Sequence, residues 1–339
     1  MRTILLTATL LIPFLLLSPI ATGCKNKDQP RVVLYYSADA HVADPILDAF
    51  EKQTGIRVDR VGDSETAKTV GLYQRLLAEK ARPACDVFWS NEVAYTIALE
   101  RQGLLATLDS PEVADWPTQF RGPDGRWHGF ALRQRVIAWS PDRVSDADAP
   151  RSLEDLLDPK WKGQIVMANP QFGTAGGDVA SWFAHYGPDR AREILRQLAA
   201  NTTLVEGNSA AVREVQLNRF DVCLTDSDDV FAARENGARI EMAPLNQAGR
   251  GAMTFPNTVA LIRGGPNPAP AKQLAEFLLS LQVEHTLARS EARNQPIRNI
   301  MPDDWQTQFG LGTPLDIPYE EIVDNLEQAR AEAKTAFGK

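Results

Sequence analysis

Short apolar runs alternate along this chain with segments patterned for helices, and that alternation restricts its fold more than any other feature. "RVVLYYS" (31–37) is rich in β-branched and aromatic residues and has the make-up of a strand covered on both faces. "ADPILDAFEKQTG" (43–55) follows, with Ile46, Leu47 and Phe50 at helical spacing and Gly55 as a stop. "IRVDRV" (56–61) predicts a second strand, "AKTVGLYQRLLAEK" (67–80) a helix, and "CDVFWS" (85–90) a third strand. A β-α-β-α-β order implies a mainly parallel sheet with helices on both faces.

The pattern returns downstream. "QIVMAN" (164–169) and "DVCLT" (221–225) read as strands. "GGDVASWFAHYG" (176–187), "DRAREILRQLAAN" (189–201) and "DDVFAARENG" (228–237) read as helices. Two long amphipathic helices are expected near the end, over 270–288 and 319–337. Between the two blocks, "GFALRQRVIAWSP" (129–141) runs out as one extended segment and "FPNTVALI" (255–262) runs back. Two extended passages link two lobes twice, and a cleft between such lobes can close on a ligand. The boundaries that follow are 31–132 plus 255–339 for lobe 1 and 133–254 for lobe 2.

The first 23 residues differ from the rest: one basic residue, an apolar run broken by Pro13 and Pro19, then small residues before Cys24. That is the pattern of a secretory signal peptide, and the run is short for a membrane span. The ending Ala21-Thr22-Gly23-Cys24 resembles a bacterial lipobox, though without the usual leucine three residues before the cysteine. Cys24 is then the expected site of lipidation, residues 24–30 a polar tether, and the chain an exported lipoprotein on the periplasmic face of the membrane. Cys85 and Cys223 fall in strand regions and read as buried free thiols, with a disulfide as the alternative. The net charge of −8 argues against nucleic acid as a partner.

Ligands of open α/β sheets sit beyond the carboxyl ends of the strands, so the strand-to-helix loops supply the candidate residues. They are Ser37 and Asp39; Glu65 and Thr66; Ser90, Asn91 and Glu92; Gly173, Thr174 and Ala175; and Asp226, Asp228 and Asp229. "NPQFGTAGGD" (169–178) offers a helix N-terminus, close-approaching glycine and a hydroxyl, a cradle for a phosphate- or sulfonate-sized anion; an ordinary capped turn is the alternative. Arg133 and Arg135 on the outgoing strand can clamp an anion or serve in ion pairs. The acids of "TDSDD" (225–229) fit either a helix N-terminus, capped by Asp226 or Ser227, or a cation site.

The chain resembles a family of bacterial extracellular solute-binding proteins, the one that includes the ferric-iron-binding proteins of ABC importers. The resemblance runs over about residues 31–300. It rests on "YYSADA", "AFEKQTGIRV", "DVFWSNE", "GLLA", "LEDLLDPKWKGQIVMANP", "AAVREVQLNRFDVCLTDSDD" and "AKQLAEFLLS" in that order. It implies a two-lobed periplasmic-binding-protein fold of type II and a monomer that hands a small molecule or ion to an inner-membrane permease. Ferric-binding members carry a histidine after the first strand; the matching position is Ala40, with His41 one residue on. Their tyrosine pair in the second lobe matches Asp228 and Asp229, so the tyrosine-based iron signature is absent. With Glu65 and Glu92 opposite, these acids suit a hard cation or an ammonium group. The ligand is expected to be a phosphonate- or phosphate-bearing zwitterion, or an oxygen-coordinated metal such as ferric iron held by Asp228, Asp229 and Glu92. No cofactor is expected beyond such a metal ion, which stays one of the two ligand readings. No G-x-S-x-G, H-E-x-x-H, P-loop or G-x-G-x-x-G motif is present, which argues against an enzyme. A sensor-type receptor for the same ligand is the alternative, with an exported enzyme on the same fold a distant third.

Overall fold

The structure, a computed structural model, describes residues 29–63, 69–298 and 311–338. Its first block is β1 (Arg31–Tyr36), α1 (Ala40–Thr54), β2 (Arg57–Gly62), α2 (Val70–Ala78), β3 (Val87–Ser90) and α3 (Val93–Arg101). β1 lies between β2 and β3 and is parallel to both. Ala43, Ile46, Leu47 and Phe50 turn the apolar face of α1 inward, and Gly55 ends the helix in a left-handed conformation at φ 70°. A two-residue strand, β4 (Leu105–Ala106), follows.

The decisive strand is β5 (His128–Trp139), buried along its whole length. His128 to Gln134 pair antiparallel with β10 (Thr254–Ile262), which itself pairs with β3. Arg135 to Trp139 pair instead with β8 (Val222–Asp226) and β9 (Glu241–Pro244). One strand therefore leaves the first half-sheet and enters the second between Gln134 and Arg135. The second half-sheet continues from β8 to β6 (Ile165–Ala168) and β7 (Thr202–Val205), all parallel. Ala131 sits at φ 51°, and the register of β10 shifts between Phe255 and Asn257, so both strands bend just before they cross.

Helices α4 (Gly173–Tyr186), α5 (Pro188–Asn201), α6 (Asn208–Gln216) and α7 (Ser227–Glu235) flank the second half-sheet, and α8 (Pro268–Leu278) packs on β1 and β10 of the first. These two α/β halves, linked by β5 and β10, are the two-lobed fold that the sequence leads one to expect. The long helix expected over 270–288 is broken: α9 (Leu281–Ala288) starts anew because the Ser280 side chain accepts from the Val283 N–H and caps it. The last helix, α10 (Tyr319–Phe337), lies along α4 and α5 and also touches α3, so part of the span assigned to lobe 1 rests on helices of the other half. Cys85 and Cys223 are both buried free thiols, one beside β3 and one within β8.

β8 carries the acidic stretch out of the core, and Leu224 at its centre is fully buried. Leu224→Ala is expected to lower the stability of the folded chain by about 2–5 kcal/mol in urea unfolding. A loss below about 1 kcal/mol would mean that this strand does not organise the second half-sheet.

Candidate functional site

The C-terminal ends of β3 and β8 meet at the point where β5 crosses. Asp226 ends β8 and stands at the N-cap of α7 in an extended conformation, yet its side chain makes no capping bond. Ser227 does not cap the helix either: its hydroxyl accepts from the Gln134 N–H at 3.2 Å. The helix-capping role open to these residues on sequence is therefore not how they are used.

Asp226 turns instead into the lobe. Arg135 Nη1 donates to its Oδ1 at 2.9 Å, while Asn208 Nδ2, at 2.9 Å, and the Thr174 hydroxyl donate to its Oδ2. Arg133 Nε lies 3.7 Å from the same Oδ2. Arg135 is fully buried; it also donates to Asp178 at 3.3 Å and to the Asn208 Oδ1 at 3.2 Å. Thr174 and Asn208 occupy the first turns of α4 and α6, so two helix N-termini converge on one carboxylate.

Arg133 precedes Arg135 on the same face of β5, two residues nearer the first half-sheet. It donates to the main-chain oxygens of Asn91 and Phe255 and lies 3.7 Å from Glu92 and 3.8 Å from Asp228. Asn91 is held in place by Ser37 and Thr69, whose hydroxyls donate to its Oδ1 at 2.9 and 3.0 Å. Beyond Arg133 the acids outnumber the cations. Oxygens of Asp226, Asp228 and Asp229 lie within 4.8 Å of one another, and Asp229 accepts from the Ser209 hydroxyl at 2.6 Å.

The electrostatics follow from that excess. Burial pushes the Glu92 carboxyl up to about 7; Arg133 pulls it down and Asp226 pushes it further up. Asp228, a quarter exposed, is pushed well above the usual carboxylate range by burial and then by the Asp229 charge, against the pull of Arg133. Two carboxyl groups at the cleft therefore hold protons more tightly than free acids do.

Asp39, Asn91, Glu92, Gly173, Thr174, Ala175, Asp226, Asp228 and Asp229 line a single cleft together with Arg133. Ser37 and Ser90 stand behind it: Ser37 orients Asn91, and Ser90 bonds the main chain of Glu92. Arg135 lies beneath Asp226 rather than on the cleft wall. Glu65, Thr66 and Cys24 fall outside the described residues. His41 pairs with Glu291 and takes no part. Sequence reading missed Asn208, Glu206 and Phe172 on the cleft lining, and Asp178 behind Arg135. The available signal was "TTLVEGN" (202–208), an edge strand running into a glycine and a helix start.

A family model of bacterial extracellular solute-binding proteins matches residues 32–290. An Fe(3+)-binding periplasmic protein of Serratia marcescens is 30% identical over 192 residues, covering 56% of this chain and 55% of that protein, so the match spans just over half the length of that relative. Among solved structures, iron-bound HitA from Pseudomonas aeruginosa superposes with a TM-score of 0.80 at 24% identity, covering 91% of this chain and 99% of that one. AfuA from Actinobacillus pleuropneumoniae, with fructose-6-phosphate bound, superposes with a TM-score of 0.77 at 20% identity over 91% and 99%. One fold thus holds iron in one neighbour and a sugar phosphate in another, and the ligand class has to be argued from side chains.

Glu92 gives a direct test of the cleft's charge. Its folded pKa near 7 lies above the unfolded value near 4.5, so its ionisation opposes folding, and stability is lost as pH rises through that window. Glu92→Gln should gain about 2–3 kcal/mol on the unsubstituted chain between pH ~5 and pH ~8, read by urea unfolding with metals chelated. A difference that stays constant with pH would show that Glu92 does not titrate in this range.

Proposed function

We propose that this chain, a member of the bacterial extracellular solute-binding protein family, is the ligand-capturing component of an ABC importer and takes a hard cation onto Asp228 and Asp229. The observation that carries this reading is the crowding of Asp226, Asp228 and Asp229, whose oxygens lie within 4.8 Å of one another at the cleft. Asp226 is satisfied by Arg135, Asn208 and Thr174, whereas Asp228 accepts the Asp229 N–H at 3.2 Å, lies 3.8 Å from Arg133, and is still pushed well above the usual carboxylate range by burial and by the Asp229 charge. Carboxylates crowded in this way favour a multivalent cation that replaces their protons. The donors are oxygens, with Glu92 opposite and no histidine or cysteine on the cleft wall among the described residues, a set that suits hard ions. Relatives named for ferric iron support that ion as the first candidate, here with aspartates at the positions matched to the tyrosine pair.

A zwitterion with an ammonium and a phosphonate end is the second reading, supported by Arg133 and the Gly173–Thr174 turn beside the acids. It is the weaker one, because the Thr174 hydroxyl is already given to Asp226. Export directed by residues 1–23, a lipid on Cys24 with a tether over 24–30, and an inner-membrane permease as partner complete the proposal. Binding rather than catalysis is its core, and a signalling receptor for the same ion is the alternative use of the cleft.

Thermal melts of chelator-treated protein with ferric nitrilotriacetate, manganese, calcium and 2-aminoethylphosphonate test this, since a ligand of the folded state raises Tm. A metal ion is expected to raise Tm, and Asp228→Asn and Asp229→Asn are each expected to weaken its binding about tenfold or more while leaving urea unfolding nearly unchanged. Stabilisation by the aminophosphonate and by no metal would overturn the cation reading in favour of the zwitterion.

A further inference from the structure

We infer that Asp226 is a resident anion: it occupies the seat made by Arg133, Arg135, Thr174 and Asn208 and so bars phosphate-bearing groups from the cleft. The inference deepens the cation reading, since it assigns to one residue the exclusion of the other ligand class.

The seat has the donors that a phosphate or phosphonate group needs. Two arginines approach from β5, a hydroxyl from the first turn of α4, and a side-chain amide from the first turn of α6. Arginine forks and helix N-termini are the recurrent partners of phosphate oxygens. All four side chains are buried or half-buried, and Arg135, fully buried, keeps its Nη2 without a hydrogen-bond partner among the described residues. These donors point at the protein's own carboxylate. Three of them bond it directly, close to the full acceptor capacity of a carboxylate, and Arg133 Nε stands 3.7 Å away.

A structural ion pair alone would not call for this arrangement. Arg135 already has Asp178 at 3.3 Å and Asn208 at 3.2 Å, and Asp178 is itself fixed by the Trp182 indole N–H at 3.3 Å. Asp226 adds a charge at the cleft end of that chain, on the residue that ends β8 and lines the ligand wall. There it has two effects. It fills the volume and the donors that an external anion would use, and it sets a negative charge against any anion that approaches past Asp228 and Asp229. The cation-facing pair is then Asp228 and Asp229, with Asp226 as the fixed charge behind them.

Asp226→Ala should convert the cleft into an anion site. The probe is inorganic phosphate, titrated calorimetrically in chelator-treated protein against sodium chloride of equal ionic strength. The unsubstituted chain is expected to show no phosphate binding. The variant is expected to bind phosphate at least about 100-fold more tightly. Adding Thr174→Val to Asp226→Ala should abolish the gain, which separates a true seat from a general change in net charge. Phosphate binding by the unsubstituted chain overturns the inference, as does a folded Asp226→Ala protein that gains none. If the variants do not fold, the unsubstituted chain decides alone: no phosphate binding supports the inference, and binding overturns it. Metal affinity of the unsubstituted chain is read in a separate titration, so failure of the cation reading is distinguishable from failure of this one.

Discussion

Two arginines withdrawn from water on one strand, Arg133 and Arg135, set the terms for everything around the cleft. A desolvated guanidinium costs several kcal/mol unless carboxylates and carbonyl oxygens surround it. Each is met by a different part of the chain: Arg135 by α4, α6 and the end of β8, and Arg133 by the loop after β3, by β10 and by α7. The strand that joins the half-sheets therefore also fixes the loops that form the site. Removing either charge would take a neighbouring cation away from acids on more than one element.

The acids that answer the arginines are not equivalent. Asp178 and Asp226 are consumed by the protein's own charges, while Glu92 and Asp228 are left in an environment that disfavours ionisation. A ligand cation favours ionisation only of the second pair. These four acids thus resolve into a structural pair and a responsive pair, and the division follows which donors each carboxylate reaches rather than order in the sequence.

That division explains what could be read from the sequence and what could not. β1, β3, β6, β8 and β10 are largely buried runs rich in apolar residues, and their short length identifies them as strands. β7 escaped because Thr202 to Val205 is a half-buried edge strand with little apolar patterning, and with it went Asn208 at the start of α6. Asp39, Asn91, Glu92 and Thr174 were within reach because strand ends in such sheets point at the cleft. The relation of Arg133 to Arg135 was not. Both share a face of β5, and only the pairing of Arg135 opposite Asp226 puts it beneath the site. Ser280 ended a helix whose periodicity ran straight through it, since a serine inside a pattern and a serine at a cap look alike until the backbone turns.

The position of α10 carries a mechanical consequence. Arg101 of α3 holds Asp324 at 2.7 Å, and Arg192 of α5 holds Glu332 at 2.7 Å, so this helix is riveted to one element on each side of the crossing strands. Arg330 adds a bond to the Tyr95 hydroxyl of α3 at 2.6 Å, and its main-chain oxygen accepts from Gln171 just before α4. Two strands alone form an axle about which the halves can swing freely. A third connection away from that axle makes a closed linkage, in which any swing of the halves would have to slide α10 past α3 or past α4 and α5.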